Sequence, residues 1–445
     1  MAVKPKSTPG DDAGRSRRIL ADGFRAVRGR SLDLAAPLTA EDQCIQSMPE
    51  ASPTKWHLAH TTWFFETFIL SPRAKGYRPF HPDYNFLFNS YYEGVGPRHQ
   101  RPKRGMLSRP PLADILAYRR HVEDAVQAFI DGSAADTWAA AAPLIELGLN
   151  HEQQHQELIL TDIKHALSLN PMRPAYGPFK PHGVGTAPPL RWLEFAEGLV
   201  ETGHAGSLGD GFAFDNEGPR HKVWLNGFRM ASRPTTNGEY LEFMDDGGYR
   251  RPELWLSDGW AACQARGWRA PLYWDDADGG WRMTTLAGRR AVDLAEPVCH
   301  VGFFEADAFA RWAEKRLPTE AEWETFAAGQ PVAGNFADAG HFHPIPAKSA
   351  AKGPAKGPAK IPDKGAAQAF GDVWEWTASA YSPYPGFRPA AGAVGEYNGK
   401  FMSGQMVLRG GSAATPAGHV RATYRNFFYP PDRWQFSGLR LASDA

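Results

Sequence analysis

The sequence predicts an α+β protein in two parts: a four-helix bundle, then an irregular domain of short strands with a few helices. Three observations support this. Four segments with helical spacing of apolar residues fall in the first 170 positions. A Pro- and Gly-rich stretch, residues 171–190, then breaks the pattern. After it, short runs such as HKVWLNGFRMA, APLYW and GGWRMTTL alternate with Gly, Pro and Asp turns. The expected organisation is a disordered tail over 1–17, a helical domain over 18–170, a linker over 171–190 and a second domain over 191–445. Within that second domain, the Ala/Lys/Pro/Gly tract at 345–367 reads as a flexible insertion.

Composition narrows the function classes. Formal net charge is zero, so there is no electrostatic case for nucleic acid or an anionic membrane as partner. No apolar run approaches the roughly 18 residues that a membrane-spanning helix needs. The start, MAVKPKSTPGDDAGRSRR, is basic and turn-rich with no apolar segment behind it, which is not the pattern of a secretory signal. Cys44, Cys263 and Cys299 are few, odd in number and far apart, as expected in a reducing cytoplasm. The oligomeric state is not legible.

The first helix is read near residues 12–33, through ILADGFRAVRGR. A second runs through TKWHLAHTTWFFETFIL, with Ser52 as the expected N-cap and Pro53 at the first helical position. On it Trp56, His60, Phe64 and Thr67 share a stripe, with Trp63 beside it, and His57 falls about 60° away as the outer histidine. A third helix spans 112–131. Between the second and third lies a segment of some 40 residues, about 72–110, longer than ordinary connections. Its Tyr91, Tyr92, Arg98, Arg101 and Arg104 read either as ligand contacts or as a solvated surface.

The fourth helix, expected after Pro143, carries NHEQQHQELILTDIKHAL. His151 and His155 lie four residues apart, one above the other on a helix face. Leu147 and Leu158 extend the same stripe, so both imidazoles point inward. Taken literally, His151 to His155 is HExxH, in which Glu152 would be the general base of a zinc hydrolase. No third ligand follows downstream; the histidine that best shares the face is His60. Three histidines leave three open positions on an octahedral ion, which suits Fe(II), or one on tetrahedral Zn(II). The metal stays open at this point.

Four motifs in the second half carry a resemblance. RLPTEAEWE (Arg316–Glu324), GDVWEWT (Gly371–Thr377), VLRGGS (Val407–Ser412) and the terminal RNFFYPPDRWQFSGLRLA resemble the formylglycine-generating-enzyme fold, an irregular C-type-lectin-like α+β domain. Those enzymes use a cysteine pair near the C-terminus, and no Cys follows Cys299 here, so their chemistry is not expected. WHLAH and HEQQHQE followed by this domain resemble the ergothioneine-biosynthetic sulfoxide synthases over nearly the whole chain. Members of that family join a thiol to C2 of the hercynine imidazole using Fe(II) and O2.

The resemblance implies iron ligands at His60, His151 and His155, with Gln154 helping to hold hercynine. It implies contacts from Asn426 and Phe427 to the trimethylammonium group, which an aromatic face attracts. Members that use γ-glutamylcysteine carry an acidic residue after the Asn-aromatic pair, where this chain has Phe428, and a catalytic Tyr in the C-terminal domain. Gly386–Val394 has no Tyr, although Tyr397 is near. Tyr91-Tyr92 instead resembles the subtype that takes free cysteine. The implied enzyme is a cytoplasmic Fe(II)-dependent sulfoxide synthase acting on hercynine, cysteine and O2. In it Tyr91 or Tyr92 donates a proton, and Arg101 and Arg104 hold the cysteine carboxylate. The rival readings are an ovothiol-type or selenoneine-forming relative, a zinc hydrolase, and a non-enzymatic binding module.

Overall fold

The computed structural model describes residues 9–182, 186–206, 211–277, 279–347 and 366–445. Residues 1–8 of the expected tail and 348–365 of the expected insertion lie outside the described residues. The chain divides into two units, 1–166 and 167–445. Among the described residues no helix is long and apolar enough to cross a membrane.

The N-terminal unit is built on four long helices. Helix α1 spans Pro9–Ala35, α2 Thr54–Phe65, α3 Ser71–Arg73, α4 Tyr84–Phe88, α5 Leu112–Gly132 and α6 Ala135–Leu169. Three sequence expectations shift. Helix α1 starts at Pro9, so residues 9–17 are helical rather than a tail. Arg17 supplies the reason: its guanidinium donates to the Ile130 and Ser133 carbonyls at the C-terminal end of α5 and lies 4.6 Å from the Trp138 ring. Ser52 is not the cap of α2, which begins after Pro53 with no side-chain cap. The Ser52 N–H donates to Asp162 and its hydroxyl accepts from Arg104, so it serves tertiary contacts instead. Pro143 lies inside α6 rather than before it. Four alanines, Ala139–Ala142, precede it, and their helix propensity carries the turn through the lost hydrogen bond.

Every residue of α2 is buried, as expected for a helix surrounded on all sides. A single π turn, Glu66–Leu70, follows it. Helix α6 approaches closely at Gly148, where a Cβ would lie 2.7 Å from the Phe65 ring. At the centre, Glu152 of α6 accepts from Arg28 (2.9 Å) and Ser31 (2.7 Å) of α1 and from Arg119 (3.2 Å) of α5. Arg28 also donates to Thr62 of α2 (2.8 Å), so one buried network joins all four helices.

The C-terminal unit carries β1 (Trp192–Phe195), β2 (Gly198–Thr202), β3 (His221–Leu225), β4 (Phe228–Ala231), α7 (Asn237–Asp245) and α8 (Ser257–Arg266). Then come β5 (Trp274–Ala277), β6 (Gly280–Thr285), β7 (Gly288–Ala291), α9 (Phe303–Trp312) and α10 (Glu320–Ala327). The chain closes with β8 (Trp374–Ala380), β9 (Met406–Arg409), β10 (Asn426–Phe428), β11 (Ser437–Gly438) and β12 (Ala442–Asp444). The sheets are small, in the orders β1-β4-β12, β10-β9-β8-β11, β2-β3 and β5-β6-β7.

The motifs of this half are structural devices. In RLPTEAEWE, Thr319 and Glu322 form a capping box that starts α10, and Arg316 pairs with Glu322. In GDVWEWT, buried Glu375 accepts from Trp323 and Arg440, while Trp374 and Trp376 fill the core. In VLRGGS, Gly410 and Gly411 take positive φ, which the turn after β9 requires. The ends of the insertion are tied down, Ile345 to Asp372 and Ala367 to Ser232.

Glu152→Ala would leave Arg28 and Arg119 buried with only the part-exposed Glu123 beside them. Breaking such a pair costs about 3–5 kcal/mol, so its denaturation midpoint should fall far below wild type. Glu93→Ala, which removes an exposed ion pair with Arg98, should change stability by no more than about 1 kcal/mol. Matching midpoints for the two variants would remove Glu152 from this structural role.

Candidate metal centre

Facing helices α2 and α6 bring three histidines together. His60 Nε2 lies 3.2 Å from His151 Nε2, and His155 Nε2 lies 3.0 Å from it. All three ligand atoms fall within 4.8 Å of one another. His60 and His151 are buried and His155 is half-buried. The His60 Nδ1–H donates to the Phe88 carbonyl at 2.6 Å, which leaves its Nε2 lone pair directed at the others. Burial, then the neighbouring His151, holds the His60 pKa well below the ordinary value, and the same causes act on His155. Burial brings His151 to about 3. The imidazoles are therefore neutral and metal-competent, and their facing lone pairs repel unless a cation lies among them. Ligands ~2.1 Å from one ion and at right angles are about 3.0 Å apart, so the spacing fits one divalent ion.

Aromatic rings back the site. Trp56 stacks on His60 at 4.6 Å, and Trp63 stacks on it at 5.4 Å. The Arg104 guanidinium lies 3.4 Å from the centre of the Trp56 ring. Arg104 is 3% exposed, and its partners are the hydroxyls of Ser52 and Ser90. Among the described residues no carboxylate pairs with it. Burial, then the positive charges of Arg101 and Arg98, pulls its pKa well below the ordinary value. Asp162 acts on it only from a distance, and a buried cation with no carboxylate in contact is suited to receive an anion. Arg101 diverges from it: exposed on the surface, it donates to the Glu50 carbonyl.

Tyr91 and Tyr92 stack on each other at 4.8 Å. Tyr92 is fully buried against Trp63 and Phe68, while Tyr91 is half-buried and within the field of Arg104. Asn89 pins this turn, accepting from Tyr92 N–H and donating to the carbonyls of Tyr92 and Gly96. Gln154 is half-buried, one residue before His155. In the C-terminal unit Asn426, Phe427 and Phe428 are half-buried on β10. Phe427 stacks on Tyr381 at 4.0 Å, and Phe428 packs against Trp434. Tyr397 is a core residue stacked on Phe214.

Two features were hidden from the sequence. Glu152 faces the Arg28–Arg119 network, not the histidines. Burial alone would raise its pKa, but the guanidiniums outweigh burial and hold it below the ordinary range. A carboxylate so engaged is no general base, and this overturns the HExxH hydrolase reading. His57 is outside the ligand set, yet it is buried and its Nδ1 lies 2.8 Å from His155 Nδ1. Asp162, two helical turns beyond His155, meets the other His57 nitrogen at 3.0 Å, and that seven-residue spacing is the signal for it. A second cluster, His182, Asp293 and Glu296, also has ligand atoms within 4.8 Å of one another. There Arg290 already holds both Glu296 oxygens at 2.6 Å, which makes it an ion-pair network.

Residues 24–159 match the DinB superfamily, and 195–445 match the sulfatase-modifying factor enzyme 1-like domain. A hercynine oxygenase of Mycolicibacterium smegmatis is 35% identical, covering 96% of this chain and 99% of its own. Another, of Mycobacterium tuberculosis, is 33% identical over 96% and 98%. A formylglycine-generating enzyme of Streptomyces coelicolor is 28% identical, covering 54% of this chain and 85% of its own.

His60→Ala, His151→Ala and His155→Ala should each weaken Fe(II) or Co(II) binding by more than about 100-fold, beyond the usual effect of residues outside the ligand set. Metal analysis after gel filtration measures this. Any variant that keeps wild-type stoichiometry is not a ligand.

Proposed function

Because the chain belongs to the hercynine oxygenase family, we propose that it joins the sulfur of cysteine to C2 of the hercynine imidazole and delivers the sulfoxide, in the cytoplasm. The balance is one thiol S–H, one C2–H and one O2 in, and one C–S(=O) product and one water out. C–S bond formation and sulfur oxygenation each supply two electrons, the four that O2 reduction takes. The observation that carries this reading is the set of three neutral, converging Nε2 atoms of His60, His151 and His155. Bound there, Fe(II) would supply the redox chemistry with O2.

The chain's own residues have distinct tasks. The histidines stay neutral and fixed, His60 by the Phe88 carbonyl. Arg104 takes the cysteine carboxylate, since its guanidinium is buried with only hydroxyl partners. Arg101, on the surface, is the weaker candidate for this task. Tyr91 is the favoured proton donor, because it is the more accessible of the pair and lies in the field of Arg104, while Tyr92 packs it in place. Gln154 would hydrogen-bond hercynine, and Asn426 and Phe427 would receive its trimethylammonium end; the family resemblance is the support for these three assignments.

The thiol choice follows from charge. A γ-glutamyl substrate adds an ammonium and a carboxylate, and Phe428 offers no charge to meet them. Cysteine should therefore be preferred in kcat/KM by at least about tenfold, which needs roughly 1.4 kcal/mol of differential transition-state binding. Phe428→Asp should narrow the gap, and Arg104→Ala should raise the KM for cysteine more than that for hercynine. The assay is anaerobic Fe(II) reconstitution, addition of hercynine with both thiols at equal concentration, then O2 and mass spectrometry. An excess of the γ-glutamyl product would overturn the subtype, and a product from histidine but not hercynine would overturn the reaction.

A further inference from the structure

The most informative unexplained group is His57, buried between a metal-ligand candidate and a carboxylate. Asp162 Oδ2 accepts the Ser52 N–H at 2.8 Å and lies 3.0 Å from His57 Nε2. An oxygen that already accepts one N–H is an acceptor toward the imidazole too, so the His57 proton sits on Nε2. A His57 that carries only this proton presents a lone pair at Nδ1. That atom faces His155 Nδ1 at 2.8 Å, a distance that requires one proton between them. The proton belongs to His155. Its Nε2 is left as a bare lone pair, 3.0 Å from His151 Nε2.

We infer that Asp162 and His57 form a positioning relay that sets the His155 tautomer, turning its Nε2 lone pair toward the metal centre. This rests on the three-histidine site holding a divalent ion. The opposite arrangement, a proton on His57 Nδ1, would make His155 Nδ1 the acceptor and put the His155 proton on Nε2, where it would block the ion. His60 reaches the same end through the Phe88 carbonyl, a backbone acceptor that has no alternative state. The relay also fixes position. Asp162 lies two turns along α6 from His155, and it holds the backbone of Ser52 at the entry to α2, the helix that carries His57 and His60.

The test uses the full-length protein stripped with a chelator and titrated with Co(II) against a chromogenic competitor, with the melting temperature of each metal-free variant measured alongside. His57→Leu removes the acceptor. His57→Gln carries its amide to the former Nε2 position, while His57→Asn puts an amide oxygen where Nδ1 was. Asp162→Leu removes the oxygen that holds the His57 proton on Nε2 and so frees that proton to move to Nδ1. His57→Leu, His57→Gln and Asp162→Leu should bind Co(II) about 10- to 100-fold more weakly, and His57→Asn should recover most of the loss. Long-range nitrogen–proton NMR of the metal-free wild type should place the His155 proton on Nδ1, and Asp162→Leu should shift it toward Nε2. If His57→Leu fails to fold, the Asn and Gln variants decide. Equal affinities across the series, losses that follow the melting temperature alone, or a wild-type proton on His155 Nε2 would overturn the relay. Wild-type protein that binds no Co(II) would overturn the metal centre itself.

Discussion

The N-terminal unit depends on one buried carboxylate. Glu152 is held by two guanidiniums and a hydroxyl from α1 and α5, and Arg28 carries the contact on to α2. Charges buried so deeply are stable only when paired and hydrogen-bonded, so the four helices meet in a single arrangement or leave a bare charge. That specificity matters because the next residue in the chain is His151. Successive residues on a helix point about 100° apart, so when the network sets the rotation of α6 about its axis, it also aims His151 at His60.

Helix α6 therefore carries opposite electrostatics on neighbouring faces. One face is fully ionised and closed. The other is neutral, because burial suppresses protonation of His60, His151 and His155. Neutral imidazoles are what a metal requires, and the stacked column of Arg104, Trp56 and His60 adds a cation beside them. The cation discourages protonation of His60 and His155 further. One residue type, Arg, meets carboxylates on the first face and only hydroxyls beside the histidines.

The C-terminal unit solves a different problem. Its sheets are short, so regular pairing supplies little of its order. Capping boxes at Thr236–Glu239 and Thr319–Glu322, and the Trp323–Glu375–Arg440 set, hold irregular backbone at defined points. The motifs that announced the fold are these fastenings, which is why they were readable.

What the sequence determined alone was local and periodic. The four helices, the shared face of His151 and His155 and the third histidine at His60 follow from spacing, which the 3.6-residue turn converts directly into geometry, while the motifs of the second half were legible by resemblance. The tertiary structure decided whatever depends on partners distant in the chain. Arg17 kept residues 9–17 helical by reaching carbonyls over 110 residues away. Arg104 turned inward and Arg101 outward although one short helix carries both. Glu152 and His57 were given partners that no local pattern encodes: an arginine network in place of catalysis, and His155 in place of the outer surface. The physical reason is that a polar side chain must be satisfied once buried, and only the packed chain settles which distant group does so.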